Sequence, residues 1–123
     1  MILIFGGAYQ GKLEYARASF DAETVCDCSD GSMPDFTKDI IYGIDGFVLE
    51  CARRGREAAD FFRAAEDEWQ DKILICTDVS QGVVPVDSVI RAFREMNGRL
   101  MLYLAAEADQ VIRVFCGIGR REK

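Results

Sequence analysis

The chain has 123 residues, half of them apolar and 29% charged, with a net charge of −6. That is one domain's worth of globular sequence, too apolar for a disordered chain. The acidic balance argues against wholesale nucleic-acid binding, and the apolar runs fall well short of the roughly 20 residues that a membrane-spanning helix needs.

Met1–Phe5 is a continuous apolar run that ends at Gly6-Gly7, which predicts a short strand buried on both faces. No basic region or small-residue cleavage site accompanies it, so no signal peptide is expected. Lys12–Phe20 reads as a helix with Leu13, Ala16 and Phe20 inward, and Glu23–Cys28 as a strand. Ser29–Pro34 reads as a loop. Ser32 to Asp35 fits a capping box that opens a helix running to Arg54, with Phe36, Ile40, Ile44, Phe47 and Cys51 on one stripe and a stop at Gly55. Arg56–Trp69 reads as another helix, with Phe61, Phe62 and Trp69 in the core. Lys72–Thr77 is a second fully buried strand, followed by a loop over Asp78–Pro85. Asp87–Ala108 reads as a helix broken or bent near Gly98, and Gln110–Cys116 as a last strand ended by Gly117 and Gly119.

Unbroken apolar strands separated by helices predict a mostly parallel sheet with helices on both faces. The expected architecture is therefore a three-layer α/β fold of the phosphate-loop NTPase kind, formed by residues 1–123 as a single domain. In such sheets ligands sit at the carboxyl ends of the strands.

Five cysteines, an odd number without a secretion signal, point to a reduced, cytoplasmic protein. Cys26-Asp27-Cys28 is poor material for a structural metal site, because the chain has no C-x-x-C pair and no histidine. The lack of histidine also removes histidine triads, a histidine general base and phospho- or nucleotidyl-histidine intermediates.

Gly6, Gly7, Ala8, Tyr9, Gln10, Gly11 and Lys12 have the phosphate-loop spacing G-x-x-x-x-G-K, with a strand before and a helix after. Glycines let backbone amides converge on a phosphate, the helix N-terminus adds positive potential, and Lys12 would reach the β- and γ-phosphates. The next position normally carries a hydroxyl for Mg²⁺, yet here it is Leu13. The bland alternative is a glycine turn with Lys12 solvated. Asp78, directly after a predicted strand, could hold Mg²⁺ or simply satisfy local amides. Arg91, Arg94 and Arg99 lie roughly on one side of the following helix, where they would meet phosphates or form a solvated or intersubunit face.

The loop resembles the G-G-A-R-S-G-K-S opening of the bifunctional adenosylcobinamide kinase/adenosylcobinamide-phosphate guanylyltransferase family of cobalamin synthesis. Thr77–Pro85 resembles that family's N-E-V-G-x-G-I-V-P, and Arg91–Glu95 with Gly98-Arg99 its R-x-F-R-D…G-R. Leu104–Val111 and Gly117-Ile118 complete the likeness. The resemblance implies a purine nucleotide, ATP or GTP, with Mg²⁺, and a corrinoid as acceptor. It implies assembly into homo-oligomers, while the acidic balance and the short apolar runs lead us to expect neither nucleic acid nor membrane as partner. The loop from Gly6 to Leu13 would bind phosphates, Lys12 would act catalytically, and Asp78 would stand where the family has its glutamate near the metal. The same resemblance implies a guanylylated histidine, which this chain cannot form. The expectation is a nucleoside triphosphate-binding protein that phosphorylates a cobinamide-type substrate. The alternative is an inactive nucleotide-binding or regulatory module that kept the scaffold.

Overall fold

The computed structural model describes residues 1–79 and 87–123. Among them six strands form one sheet: β1 (Ile2–Gly6), β2 (Val25–Asp27), β3 (Ile40–Tyr42), β4 (Ile73–Thr77), β5 (Gln110–Phe115) and β6 (Ile118–Arg121), in the order β2-β3-β4-β1-β5-β6. The central β1 pairs in parallel with β4 and β5, Ile2 lying opposite both Ile73 and Gln110. All pairings are parallel except the last, a β5–β6 hairpin. The expected α/β class, with its mostly parallel sheet, is what forms.

The apolar runs of β1 and β4 are buried on both faces, so each strand feeds two cores. On one face α1 (Lys12–Ser19) packs Ala16 against Ile4, Ile40, Ile75 and Ile112. On the other, α2 (Ile44–Arg53), α3 (Ala58–Ala64) and α4 (Ser88–Glu107) cover Leu3, Ile41 and Leu74. Phe62 and Trp69 are fully buried there, as expected, and the Trp69 Nε1 donates to the Phe62 carbonyl at 2.8 Å. Asp87 caps α4 by accepting from the amides of Val89 and Ile90.

Several expectations need correction. The long helix predicted from Pro34 to Arg54 is in fact β3 followed by α2. Ile40-Ile41-Tyr42 is inserted between β2 and β4, Ile40 opposite Val25 and Ile73, and Gly43 at φ 70° makes the turn into α2. The four-residue spacing of Phe36, Ile40 and Ile44 imitated a helical stripe, whereas the β-branched run pairs better in the sheet. The capping box does not form: Asp35 instead accepts from the Thr37 amide, and the Ser32 amide donates to Asp30.

The helix expected over Arg56–Trp69 is α3 plus a short 3₁₀ turn at Glu66–Glu68. Helix α4 runs through Gly98 without a break. Finally, Gly119 does not end the last strand but lies within β6. The hairpin turns at Cys116 and Gly117, both with positive φ (51° and 76°), the geometry that two-residue hairpin loops require. The loop expected over Asp78–Pro85 is described only at Asp78 and Val79; Gly82 and Pro85 lie outside the described residues.

Candidate functional site

Strand order decides which carboxyl ends meet. Gly6 finishes opposite Thr77, and on the other side of β4 the strand β3 ends at Tyr42. From this edge the chain leaves toward α1 on one face and toward α4 on the other, the kind of switch point where a cleft opens.

The segment from Gly7 to Gly11 arches over the end of β1. Tyr9 (φ 59°) and Gly11 (φ 84°) both adopt the left-handed conformation, and changes of backbone handedness of this kind turn successive amides inward to form an anion nest. Lys12, the first residue of α1, is only 5% exposed, and its Nζ donates to the Gly7 carbonyl at 2.7 Å. The ammonium therefore spans the loop from inside and is not solvated. Burial lowers its pKa below the ordinary lysine value, partly offset by the negative charge of Asp45 and then by Cys76 and Glu14. Beside it lies a cavity of about 490 Å³, bounded by residues 8–14 together with Tyr42 and Thr77.

Each remaining loop residue has a definite place. Gln10 faces the hairpin: its Oε1 accepts the Cys116 amide at 2.7 Å and its carbonyl accepts the Gly117 amide at 2.8 Å. It thus anchors the arch to the β5–β6 turn. A Cβ on Gly6 would collide with the carbonyl of Val114, so only glycine fits where the loop leaves β1. Leu13 lines the cavity and packs at the edge of the Ile4–Ala16 core. The ring of Tyr9 is fully exposed at the cavity rim, and Ala8 also faces the cavity.

Asp78 continues the ladder, its amide donating to the Gly6 carbonyl at 2.8 Å. It does not line the cavity that holds Lys12. Instead it borders two grooves of about 290 Å³ each: one with Gly6, Gly7, Gln10 and Arg113, the other an apolar groove under α4 that also takes in Arg94, Asn97 and Met101. Arg91 is exposed near the start of α4. Arg99 is committed elsewhere, gripping Glu57 through Nε at 3.1 Å and through a second nitrogen at 2.9 Å.

Sequence reasoning missed two residues. Asp45, in the first turn of α2, accepts the Thr77 amide at 3.1 Å and is the carboxylate whose charge bears most on Lys12. Asn97 is buried on α4. Its Nδ2 donates to the Thr77 carbonyl at 3.2 Å and its Oδ1 accepts the Cys76 thiol at 3.3 Å. Together they clamp both sides of the Thr77 backbone. The only sequence signal for Asp45 was a carboxylate shortly after an apolar triplet, and that triplet read as helix.

For Mg²⁺, Leu13 offers no oxygen, but Asp45 and Thr77 lie at the same strand edge. One carboxylate with phosphates and water is how Mg²⁺ is commonly held. Thr77 borders the cavity, and Asp45, bonded to its amide, is the nearest carboxylate to Lys12 by charge. Among the described residues, no group of three or more His, Cys, Asp or Glu is placed to hold a metal by itself, and no helix is long and apolar enough to cross a membrane. A separate cavity of about 630 Å³, bordered by residues of α2 and α3, shares no residue with the loop.

Residues 45–121 match the family described as cobinamide kinase / cobinamide phosphate guanyltransferase. Over 51 residues the chain is 41% identical to the bifunctional adenosylcobalamin biosynthesis protein CobU of Salmonella typhimurium. That stretch is 42% of this chain and 28% of that protein.

Proposed function

This chain belongs to the cobinamide kinase / cobinamide phosphate guanyltransferase family, and on that premise we propose that it binds a purine nucleoside triphosphate at the Gly6–Leu13 loop and transfers the terminal phosphoryl group to a cobinamide-type acceptor. The observation that carries this reading is the buried Lys12 ammonium, held on the Gly7 carbonyl beside the cavity. A lone turn lysine would extend into water, whereas this one is already desolvated where phosphate oxygens would arrive.

When the triphosphate binds, Lys12 exchanges the Gly7 carbonyl for β- and γ-phosphate oxygens, so that its ammonium gains anionic acceptors in place of a neutral carbonyl. The loop amides and the N-terminus of α1 hold the remaining oxygens. Asp45 and Thr77 would hold Mg²⁺ there, which would supply positive charge beside the phosphates. Asp45 also keeps Lys12 protonated by its charge. Asp78 faces the grooves on the other side of the loop, where it would orient the acceptor hydroxyl. Assembly into a homo-oligomer accompanies this reading. The guanylyl-histidine step has no residue to proceed on in these 123.

Thermal unfolding with ATP or GTP, each with Mg²⁺ and with EDTA, tests binding. A ligand at about 100 times its dissociation constant adds roughly 2.7 kcal/mol, a shift of several degrees for a domain of this size. Transfer of labelled phosphate to cobinamide tests the reaction, and no shift with either nucleotide rejects the reading. Leu13 favours a second reading, because its side chain is spent on the core where a metal-binding hydroxyl normally stands. In that case the chain binds nucleotide equally well with EDTA and forms no phosphorylated product.

A further inference from the structure

The end of β2 carries a feature that the nucleotide site does not use. Cys26 and Cys28 are two residues apart and both side chains join the same core face, the one covered by α2, α3 and α4. Their sulfurs are 3.7 Å apart, in van der Waals contact. Cys28 is fully buried, whereas Cys26 is half-buried and accepts the Asp35 amide on its sulfur at 3.3 Å. Among the described residues, no third ligand is placed for a metal.

We propose that Cys26 and Cys28 are a reversible dithiol–disulfide pair, oxidised by a small-molecule disulfide such as oxidised glutathione. This proposal does not depend on the nucleotide reading. Cys26, the accessible thiol, loses its proton and attacks one sulfur of the glutathione disulfide. That S–S bond breaks, and the first glutathione leaves as a thiolate that takes up a proton. Cys28 then loses its proton and attacks the Cys26 sulfur of the mixed disulfide, expelling the second glutathione as thiol. Two electrons pass from the protein to glutathione, and one internal S–S bond forms.

Geometry makes the bond labile. Residues two apart on a strand are separated by about 6.6 Å at roughly 3.3 Å per residue. That is near the upper limit of about 6.8 Å for a disulfide-linked pair. A bridge formed at such a limit is strained, and strained disulfides are the easily reduced ones.

The bridge also acts at a distance. The Cys28 amide donates to the Tyr42 carbonyl at 2.8 Å, and its own carbonyl accepts the Gly31 amide at 2.9 Å. Gly46 lies against the same residue so closely that a Cβ there would be 2.5 Å from the Cys28 oxygen; a Cβ on Gly43 would be 2.7 Å from the Ser29 nitrogen. The turn from Gly43 to Gly46, which holds Asp45, therefore rests on the backbone that the bridge pulls. Drawing the sulfurs to about 2.05 Å shifts that support.

The test uses the full chain carrying Cys116→Ser, which removes the exposed thiol. Native protein is equilibrated at rising ratios of oxidised to reduced glutathione, quenched in acid, alkylated and mapped by mass spectrometry. The expected product has lost two hydrogens, carries no glutathione, maps to a bridge between 26 and 28, and reverts when the ratio is reversed. Adding Cys26→Ser abolishes it while circular dichroism stays native. Full alkylation of both thiols at every ratio overturns the proposal, as does a product that stops at a glutathione adduct. Amides of residues 43–46 should exchange several-fold faster or slower in the bridged form, and identical exchange in the two forms overturns the coupling to Asp45.

Discussion

Asp45 accepts the backbone amide of Thr77 at 3.1 Å, a bond between residues 32 positions apart that ties the first turn of α2 to the end of β4. Asp45→Ala removes the carboxylate that accepts this partly buried amide, a loss of about 1–2 kcal/mol. Asp45→Asn keeps an acceptor oxygen and removes the charge. Chemical denaturation should therefore separate the two variants, with alanine clearly less stable and asparagine near wild type. Both should lose the Mg²⁺ dependence of nucleotide binding. Equal stability of the two would show that the Thr77 bond contributes nothing.

Lys12→Met replaces a buried ammonium with an apolar side chain of similar length. Charge-assisted hydrogen bonds worth about 1.5–3 kcal/mol each are lost from the complex, so nucleotide affinity, read by calorimetry, should fall roughly 10- to 150-fold. The melting temperature without ligand should be unchanged or higher, because the desolvation of the charge disappears. A variant that melts far lower would identify Lys12 as a structural residue.

The pH dependence follows from the same lysine. Its pKa without ligand lies below the ordinary value, chiefly through burial, and bound phosphates would raise it. Affinity is then full below the unliganded pKa and declines as pH rises through it, because a proton must be taken up on binding. For stability the sign is opposite. Between the lowered folded pKa and the higher unfolded one, the unfolded chain binds more protons, so the contribution of Lys12 to folding improves as pH rises. Titrations of wild type and Lys12→Met should differ in both respects over this alkaline range, and parallel curves would reject the assignment.

Two glycines on helices should respond in opposite directions. Gly98 lies mid-helix in α4 with open space where a Cβ would stand, so Gly98→Ala should stabilise the protein by about 0.5–1 kcal/mol. A Cβ on Gly46 would be 2.5 Å from the Cys28 carbonyl oxygen, so Gly46→Ala forces backbone apart and should destabilise by about 1–3 kcal/mol. Thermal melts of the two variants, side by side, are the measurement.

Much of the fold could be read from local pattern. The apolar runs Ile2–Phe5 and Ile73–Cys76 have one stable home, the middle of a covered sheet. The turn out of β1 was legible in the glycines between Gly6 and Gly11, because those residues constrain the backbone themselves. β3 was illegible because three residues cannot display a period, and their neighbours at four-residue intervals imitated a helix. β6 was illegible because Ile-Gly-Arg-Arg has no apolar run, and its strand conformation comes from pairing with β5.

The sequence by itself determined the α/β class, the phosphate-loop pattern and the absence of any histidine, since each is a property of residue types and their spacing along the chain. Only the tertiary structure decided which carboxylate stands beside Lys12. Asp78 is adjacent to β4 in sequence, yet it faces the grooves on the far side of the loop. Asp45 follows β3, and the order β3-β4-β1 brings it to the lysine. Charge interaction depends on distance through space, and strand order is set by how two cores are covered at once, which no single segment of the chain encodes.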